Sequence, residues 1–103
     1  MNDTALLQLL YDVGAHTSLY KFRLLIALKK HYPNSVSDTD LMRQLGLRSI
    51  QALSGTVAAL SKNANTLGLK LPDVLTITLA PRRYRLSDAM SRVIDEELKR
   101  EEL

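Results

Sequence analysis

The chain has 103 residues, a length that suits one domain with a modest hydrophobic core. Apolar residues make up 46% of it and charged residues 24%, as expected of a folded, soluble domain. The absence of cysteine excludes disulfides, thiolate metal sites and a cysteine nucleophile. No apolar run approaches the roughly 20 residues that span a membrane, so we expect a cytoplasmic protein without membrane contact.

The net charge of +3 is unevenly distributed along the chain. Residues 41–85 contain seven bases and one acid, whereas residues 86–103 contain three bases and six acids. A basic middle segment indicates a polyanionic partner such as nucleic acid. The alternative interpretation is ordinary scatter of charge over a solvated surface.

The first half of the chain has the signals of three helices. Residues 1–14 form an apolar N-terminal helix that Gly14 ends. The second helix stops near His31, because a proline two positions later disfavours helical angles at the residue between them. The short third helix has Ser37 as its N-cap and Gly46 as the left-handed residue after its end. The apolar face predicted for the second helix consists of Leu19, Phe22, Leu25 and Ile26, extended by Leu24 and Leu28.

The fourth helix, residues 49–67, has the clearest period in the chain. Its apolar residues recur at steps of three and four, as one buried stripe requires. They are Ile50, Leu53, Val57, Leu60, Ala64 and Leu67. Ser49 is suited to cap this helix and Gly68 to terminate it. Gly55 within it costs up to ~1 kcal/mol relative to alanine, so a start at Ser54 is the alternative.

A β-hairpin and a final helix follow. Apolar residues alternate with threonines in the first strand, which is the pattern of a strand with one buried side. Pro81 is unsuited to a central strand, so residues 80–83 form the turn. The inward-facing positions of the two strands are Leu75, Ile77, Leu79, Tyr84 and Leu86. Ser87 begins the C-terminal helix, residues 87–103.

Together these elements predict a single domain, residues 1–103, of the mainly helical α+β class. The predicted order is α-α-α-α-β-β-α, with one helix added at each end of a central unit. That unit, residues 18–86, has the order of a winged helix-turn-helix. In such a fold the helix at 49–67 is the recognition helix and residues 80–86 are the wing.

Two stretches carry a resemblance to a known family. His31-Tyr32-Pro33 followed by Val36-Ser37, and later Tyr84-Arg85-Leu86, stand where such strings occur in winged-helix effector domains. The chain thus resembles the OmpR/PhoB-type effector domain of bacterial response regulators, which implies a winged helix that binds DNA. The additional helices at the two ends resemble those of dimeric regulators of the MarR or PadR kind.

The expected DNA contacts come from the recognition helix and the wing. Arginine bonds guanine bidentately, glutamine reads adenine and alanine contacts the thymine methyl group. Lysines and wing arginines suit phosphates or a narrow minor groove. The predicted DNA-binding residues are Arg48, Ser49, Gln51, Ala52, Gly55, Lys62, Lys70, Arg82, Arg83 and Arg85. For the small-residue face of this helix, the alternative is packing against a partner protein.

The flanking helices predict a homodimer. They have more apolar residues than a core of this size needs to bury, so we expect these helices to pair two chains. The alternative is that each helix covers the core of its own subunit. The residues concerned are Leu6, Leu9, Leu10, Val13, Met90, Val93, Ile94 and Leu98.

Catalysis is not expected, nor is a cofactor or a metal. His16 and His31 are separated by a whole helix and lack carboxylate neighbours at metal spacing. No phosphate-binding glycine loop or nucleophile elbow occurs. The favoured hypothesis is a small bacterial transcriptional regulator that binds duplex DNA. The alternatives are a winged-helix protein-interaction module, which acts as a scaffold or adaptor in a larger complex, and a non-specific nucleic-acid-binding accessory protein.

Overall fold

The structure is a computed structural model that describes residues 3–15 and 19–102. Within these residues the chain forms five α-helices and three short strands. The helices are α1 (Asp3–Ala15), α2 (Leu19–His31), α3 (Asp38–Leu45), α4 (Ile50–Thr66) and α5 (Asp88–Glu102). The strands are β1 (Val36–Ser37), β2 (Leu75–Thr78) and β3 (Arg83–Leu86), and a 3-10 turn at Leu71–Asp73 precedes β2. The predicted α+β class with a majority of helix is confirmed.

The three strands form one antiparallel sheet in the order β1-β3-β2. The predicted hairpin corresponds to β2 and β3. The prediction of only two strands is wrong, because β1 joins the other edge of β3 and pairs Val36 with Tyr84. Two residues are too few to show an alternating pattern in a sequence. Ser37 also carries a helix-capping signal, which hides its place in a strand.

The helix boundaries follow from local capping. The Ser37 Oγ accepts a hydrogen bond of 3.2 Å from the Asp40 N–H at the start of α3. Gly46 ends that helix in the left-handed region, with φ 70°. The Ser49 Oγ accepts from the Ala52 N–H at 3.0 Å, so α4 starts at the earlier of the two predicted positions. These predictions from the sequence are confirmed.

The end of α1 differs from the prediction. The helix continues through Gly14 to Ala15, so the glycine does not terminate it. A Cβ atom placed on Gly14 would lie 3.4 Å from the ring of Phe22. The residue therefore lies where α1 and α2 come close together.

One hydrophobic core draws side chains from all five helices and the sheet. At its centre α2 packs against α1, α3, α4 and β3. Leu24, Leu25 and Leu28 are fully buried, whereas Phe22 is 36% exposed and Ile26 is only partly buried. The apolar face predicted for α2 is therefore partly wrong. Elements that cover the helix on more than one side shift its buried surface towards Leu24 and Leu28.

The apolar sides of α1 and α5 pack against each other within one chain. Seven of the eight residues expected at a dimer interface are buried in this way: Leu6, Leu9, Leu10, Val13, Met90, Val93 and Ile94. Leu98 is the exception, with 50% of its surface exposed. The expectation that these residues pair two chains is corrected, because they cover the core of their own subunit.

Replacing Leu9 by alanine tests whether α1 belongs to the core. Leu9→Ala removes a fully buried side chain, so we expect the free energy of unfolding to fall by ~2–5 kcal/mol. Urea denaturation at neutral pH measures this change. The control Leu98→Ala, on the exposed side of α5, is expected to change stability by no more than about 0.5 kcal/mol. A loss below about 1 kcal/mol for Leu9→Ala would contradict the packing described here.

Candidate nucleic-acid interface

α4 is held in the fold by one side only. Leu53, Val57, Leu60 and Ala64 form its buried stripe, as the sequence period predicts. Ile50 belongs to that predicted stripe but is 40% exposed, because it lies at the first position of the helix. The Lys21 Nζ donates a hydrogen bond to the Asn63 Oδ1 at 2.5 Å and joins α2 to α4. The other residues of the helix are exposed, except for five that are partly buried: Ala52, Thr56, Ala59, Ser61 and Asn63.

The solvent side of α4 carries small and polar side chains. Gln51, Ser54, Gly55, Ala58 and Lys62 are all exposed there. No aspartate or glutamate occurs anywhere in the helix. A Cβ atom added to Gly55 would meet no other atom within 4 Å, so packing inside the chain does not require this glycine. This side of α4 is therefore an open surface of low relief without negative side chains.

Four of the predicted contact residues lie in the first turn of α4 or directly before it. Arg48 is exposed in the loop before the helix. Ser49 and Ala52 are partly buried, and the capping hydrogen bond between them occupies the serine hydroxyl as an acceptor. Arg48 and the neighbouring Gln51 are thus the more accessible side chains at this end.

A groove of about 480 Å³ separates α4 from the hairpin. Its helix side includes Ala58 and Ser61, and its hairpin side includes Ile77, Leu79 and Arg82. Leu79 is 70% exposed and Ile77 37%, so the prediction that both are buried is wrong. The strand ends at Thr78 and leaves Leu79 in the turn, and the open groove beside α4 leaves Ile77 uncovered on one side.

The three arginines of the predicted wing do not form one cluster at its tip. Arg82 is exposed in the turn and lines the groove beside α4. Arg83 donates from Nε to the Ser35 Oγ at 2.7 Å and from Nη2 to the Ser35 carbonyl oxygen at 2.9 Å. Arg85 donates from Nε to the Pro33 carbonyl oxygen at 2.7 Å. The guanidinium groups of Arg83 and Arg85 therefore contact the turn before β1.

Arg85 is also part of a network that joins the turn after α2, β3 and α5. Its Nη2 donates to the Asp88 Oδ1 at 3.0 Å, and its guanidinium lies 5.2 Å from the centre of the Tyr32 ring. The Tyr32 hydroxyl donates to the same carboxylate oxygen at 2.6 Å. The hydrogen bond from Tyr32, followed by that from Arg85, holds the pKa of Asp88 below its usual range. The same bond to Asp88 raises the pKa of Tyr32.

The two remaining predicted contact residues lie in the second half of α4 and after its C-terminus. Lys62 is exposed in the second half of the helix. Lys70 is exposed beyond its C-terminus, where its backbone N–H donates to the Asp73 Oδ2 at 2.8 Å. Arg48, Lys62, Lys70 and Arg82 are thus exposed bases on or beside α4.

Sequence reasoning missed two features of this surface. Ser35 accepts hydrogen bonds from Arg83 across 48 positions of sequence, and no local signal indicates such a contact. The exposure of Ile77 and Leu79 was hidden by the alternating pattern, which indicates one buried side without identifying what covers it.

No family model, no curated protein and no solved structure matches the chain. None of the helices in the described part of the chain is both long enough and apolar enough to cross a bilayer. Residues 3–15 and 19–102 contain no group of three or more histidine, aspartate or glutamate side chains suited to a metal ion. His31 contacts Gln44 through its Nε2 at 2.9 Å, and His16 lies outside the described residues.

The Tyr32–Arg85–Asp88 network predicts a pH dependence of stability. Folding lowers the pKa of Asp88. The ionised carboxylate therefore stabilises the folded state fully above its unfolded pKa, near 4, and this stabilisation disappears as the pH falls through the lower folded pKa. We expect Asp88→Asn to destabilise the protein at neutral pH, and the difference from the parent to shrink below about pH 4. Urea denaturation at neutral and acid pH measures this difference.

Asp38→Asn is the matched control, since Asp38 and Asp88 are each the first residue of a helix. A loss that is equal for both variants at every pH would assign the effect to the helix ends and contradict a role for the network.

Proposed function

We propose that the chain binds double-stranded DNA, with α4 as the recognition helix and the β2–β3 hairpin as a wing. The order of elements from α2 to β3 and the sheet order β1-β3-β2 support a winged helix-turn-helix. In that fold the recognition helix enters the major groove. The hairpin beside it is then close to a phosphate backbone.

The observation that carries the proposal is the open, acid-free side of α4. The helix has 17 residues, which corresponds to a length of ~25 Å. Apart from Ile50 at its start, its exposed residues are small, polar or basic, so a polyanion can approach closely without meeting a negative charge on the helix. A helix whose opposite side is anchored in the core can present this surface as a rigid unit.

Each of the four exposed bases on or beside α4 has a role in this proposal. Arg48 and Gln51, at the N-terminal end of α4, reach base edges first. Lys62, Lys70 and Arg82 contact phosphates on either side of the groove. These contacts supply the salt-dependent part of the affinity.

The proposal assigns different roles to the three hairpin arginines. Arg83 and Arg85 use their guanidinium groups on acceptors of the chain itself. Arg82 is exposed at the tip. We therefore assign the DNA contact of the wing to Arg82, and a structural role to Arg83 and Arg85.

A transcriptional regulator in the cytoplasm of a bacterium is the biological role that this chemistry suits. A homodimer would place two copies of α4 about one DNA turn apart. Such a dimer requires an interface other than the buried sides of α1 and α5. Sedimentation equilibrium distinguishes a mass near 11.6 kDa from one near twice that value.

Arg82→Ala tests the wing. Fluorescence anisotropy with a random-sequence duplex at about 50 and 200 mM salt gives the affinity and its salt slope. We expect Arg82→Ala to weaken binding about 5–10-fold at the lower salt and to reduce the slope by about 1, because one phosphate contact is lost. Lys99→Ala, which removes an exposed base from α5, is the control and is expected to bind as the parent does. If Arg82→Ala leaves the affinity and the salt slope unchanged, the hairpin does not contact DNA through Arg82.

Ala58→Glu tests the open side of α4. The added carboxylate lies in the middle of the exposed surface, where it repels phosphates without entering the core. We expect the affinity for duplex to fall by more than ~10-fold, with thermal stability unchanged. The control Ala58→Gln adds a side chain of the same size without charge. A glutamate variant that binds as well as the glutamine variant would contradict the proposal.

A second candidate function, a protein-interaction module, is favoured by the exposed apolar side chains of the hairpin. Ile77 and Leu79 face a groove whose other side includes Val57 and Ala58. A partner helix with apolar residues on one side would fit between them. Absence of duplex binding by the parent protein at low salt would favour this role over DNA recognition.

A further inference from the structure

A second groove lies on a different part of the molecule, between the C-terminal half of α1, α2 and α5. Its volume is about 370 Å³, within the range of small-molecule sites. Most of its surface is apolar, and no residue of α4 or of the hairpin contributes to it. Its lining residues include Tyr11, Phe22, Ile26, Ile94, Glu97 and Leu98.

Glu97 is the one charged side chain that lines this groove in the described part of the chain. Only 12% of its side chain is exposed. Its Oε2 accepts a hydrogen bond of 2.7 Å from the Tyr11 hydroxyl. The Nη1 of Arg100 lies 3.9 Å from the same oxygen, on a side chain that is itself 67% exposed. Arg100 is exposed to solvent, which screens this ion pair, so Glu97 still supplies a negative potential at the groove.

The aromatic rings of the groove add to this potential. Tyr11 and Phe22 are both partly exposed and line the same cavity. The faces of such rings attract cations. Ile26, Ile94 and Leu98 supply aliphatic contacts beside them.

We propose that this groove binds an apolar organic cation, with its rings or alkyl groups against Phe22 and Ile26 and its positive centre near Glu97. The negative charge of Glu97 is the observation that carries this assignment. The chain as a whole has a net charge of +3 and attracts anions. A preference for cations must therefore arise locally. The inference does not depend on DNA binding.

Two probe ions of matched size test the proposal. Tetraphenylphosphonium and tetraphenylborate have nearly the same shape and opposite charges. Both can contact the apolar walls in the same way, but Glu97 attracts the first ion and repels the second. Isothermal titration calorimetry with the full chain gives the affinity for each. We expect tetraphenylphosphonium to bind at one site with a dissociation constant of about 10–100 μM.

Glu97→Gln removes the charge but keeps the size of the side chain and an oxygen that can accept from Tyr11. We expect this variant to bind tetraphenylphosphonium about 5–10-fold more weakly, while tetraphenylborate binds as before or more tightly. Glu96→Gln is the matched control, because the neighbouring carboxylate lies outside the groove. Circular dichroism melting curves verify that both variants are folded.

Three outcomes would overturn the proposal. The first is equal weakening of tetraphenylphosphonium binding by Glu97→Gln and Glu96→Gln, which would indicate diffuse attraction to the acidic helix. The second is equal affinity of the parent for both ions at a site that Glu97→Gln leaves unchanged. The third is the absence of tetraphenylphosphonium binding by the parent protein.

Discussion

The burial of α2 is the constraint on which the rest of this structure depends. Leu24, Leu25 and Leu28 have no exposed surface, because the helix packs against α1, α3, α4 and β3. One central helix thus gives the other elements a common packing partner. When α4 places its leucine stripe against this core, its opposite side must face water. The surface that we propose for DNA is a consequence of that packing.

The small sheet depends on polar side chains as well as on its backbone ladder. β2 and β3 have four residues each and β1 has two, so few interstrand hydrogen bonds form. Arg83 and Arg85 extend from β3 to the turn before β1 and hold that turn against the sheet. Three guanidinium groups that look alike in the sequence therefore divide into two structural residues and one exposed residue. The basic surface is smaller than the composition of the hairpin suggests.

The features that could be predicted from the sequence are local ones. Ser37, Gly46 and Ser49 act through hydrogen bonds and backbone angles within a few residues, and the structure has them as expected. The buried stripe of α4 also follows from a period inside one helix.

The features that could not be predicted depend on distant parts of the chain. A two-residue strand has no pattern of its own, and Ile77 is exposed because no part of the chain within residues 3–15 and 19–102 covers its side of the hairpin. The same holds for α1 and α5, whose apolar sides indicate a partner surface without identifying it as the same chain. For the candidate site, the contact residues on α4 stay a prediction, and the sequence did not indicate which hairpin arginine has an exposed guanidinium group.

Gly55 links this architecture to the way the surface can change over evolutionary time. Glycine in a helix interior costs about 1 kcal/mol relative to alanine, and a Cβ atom here would meet no other atom within 4 Å. Neither folding nor packing selects for its retention. Variation at position 55 among descendants of this chain would therefore report on what its surface touches outside the molecule, and new specificities could arise there while the core stays as it is.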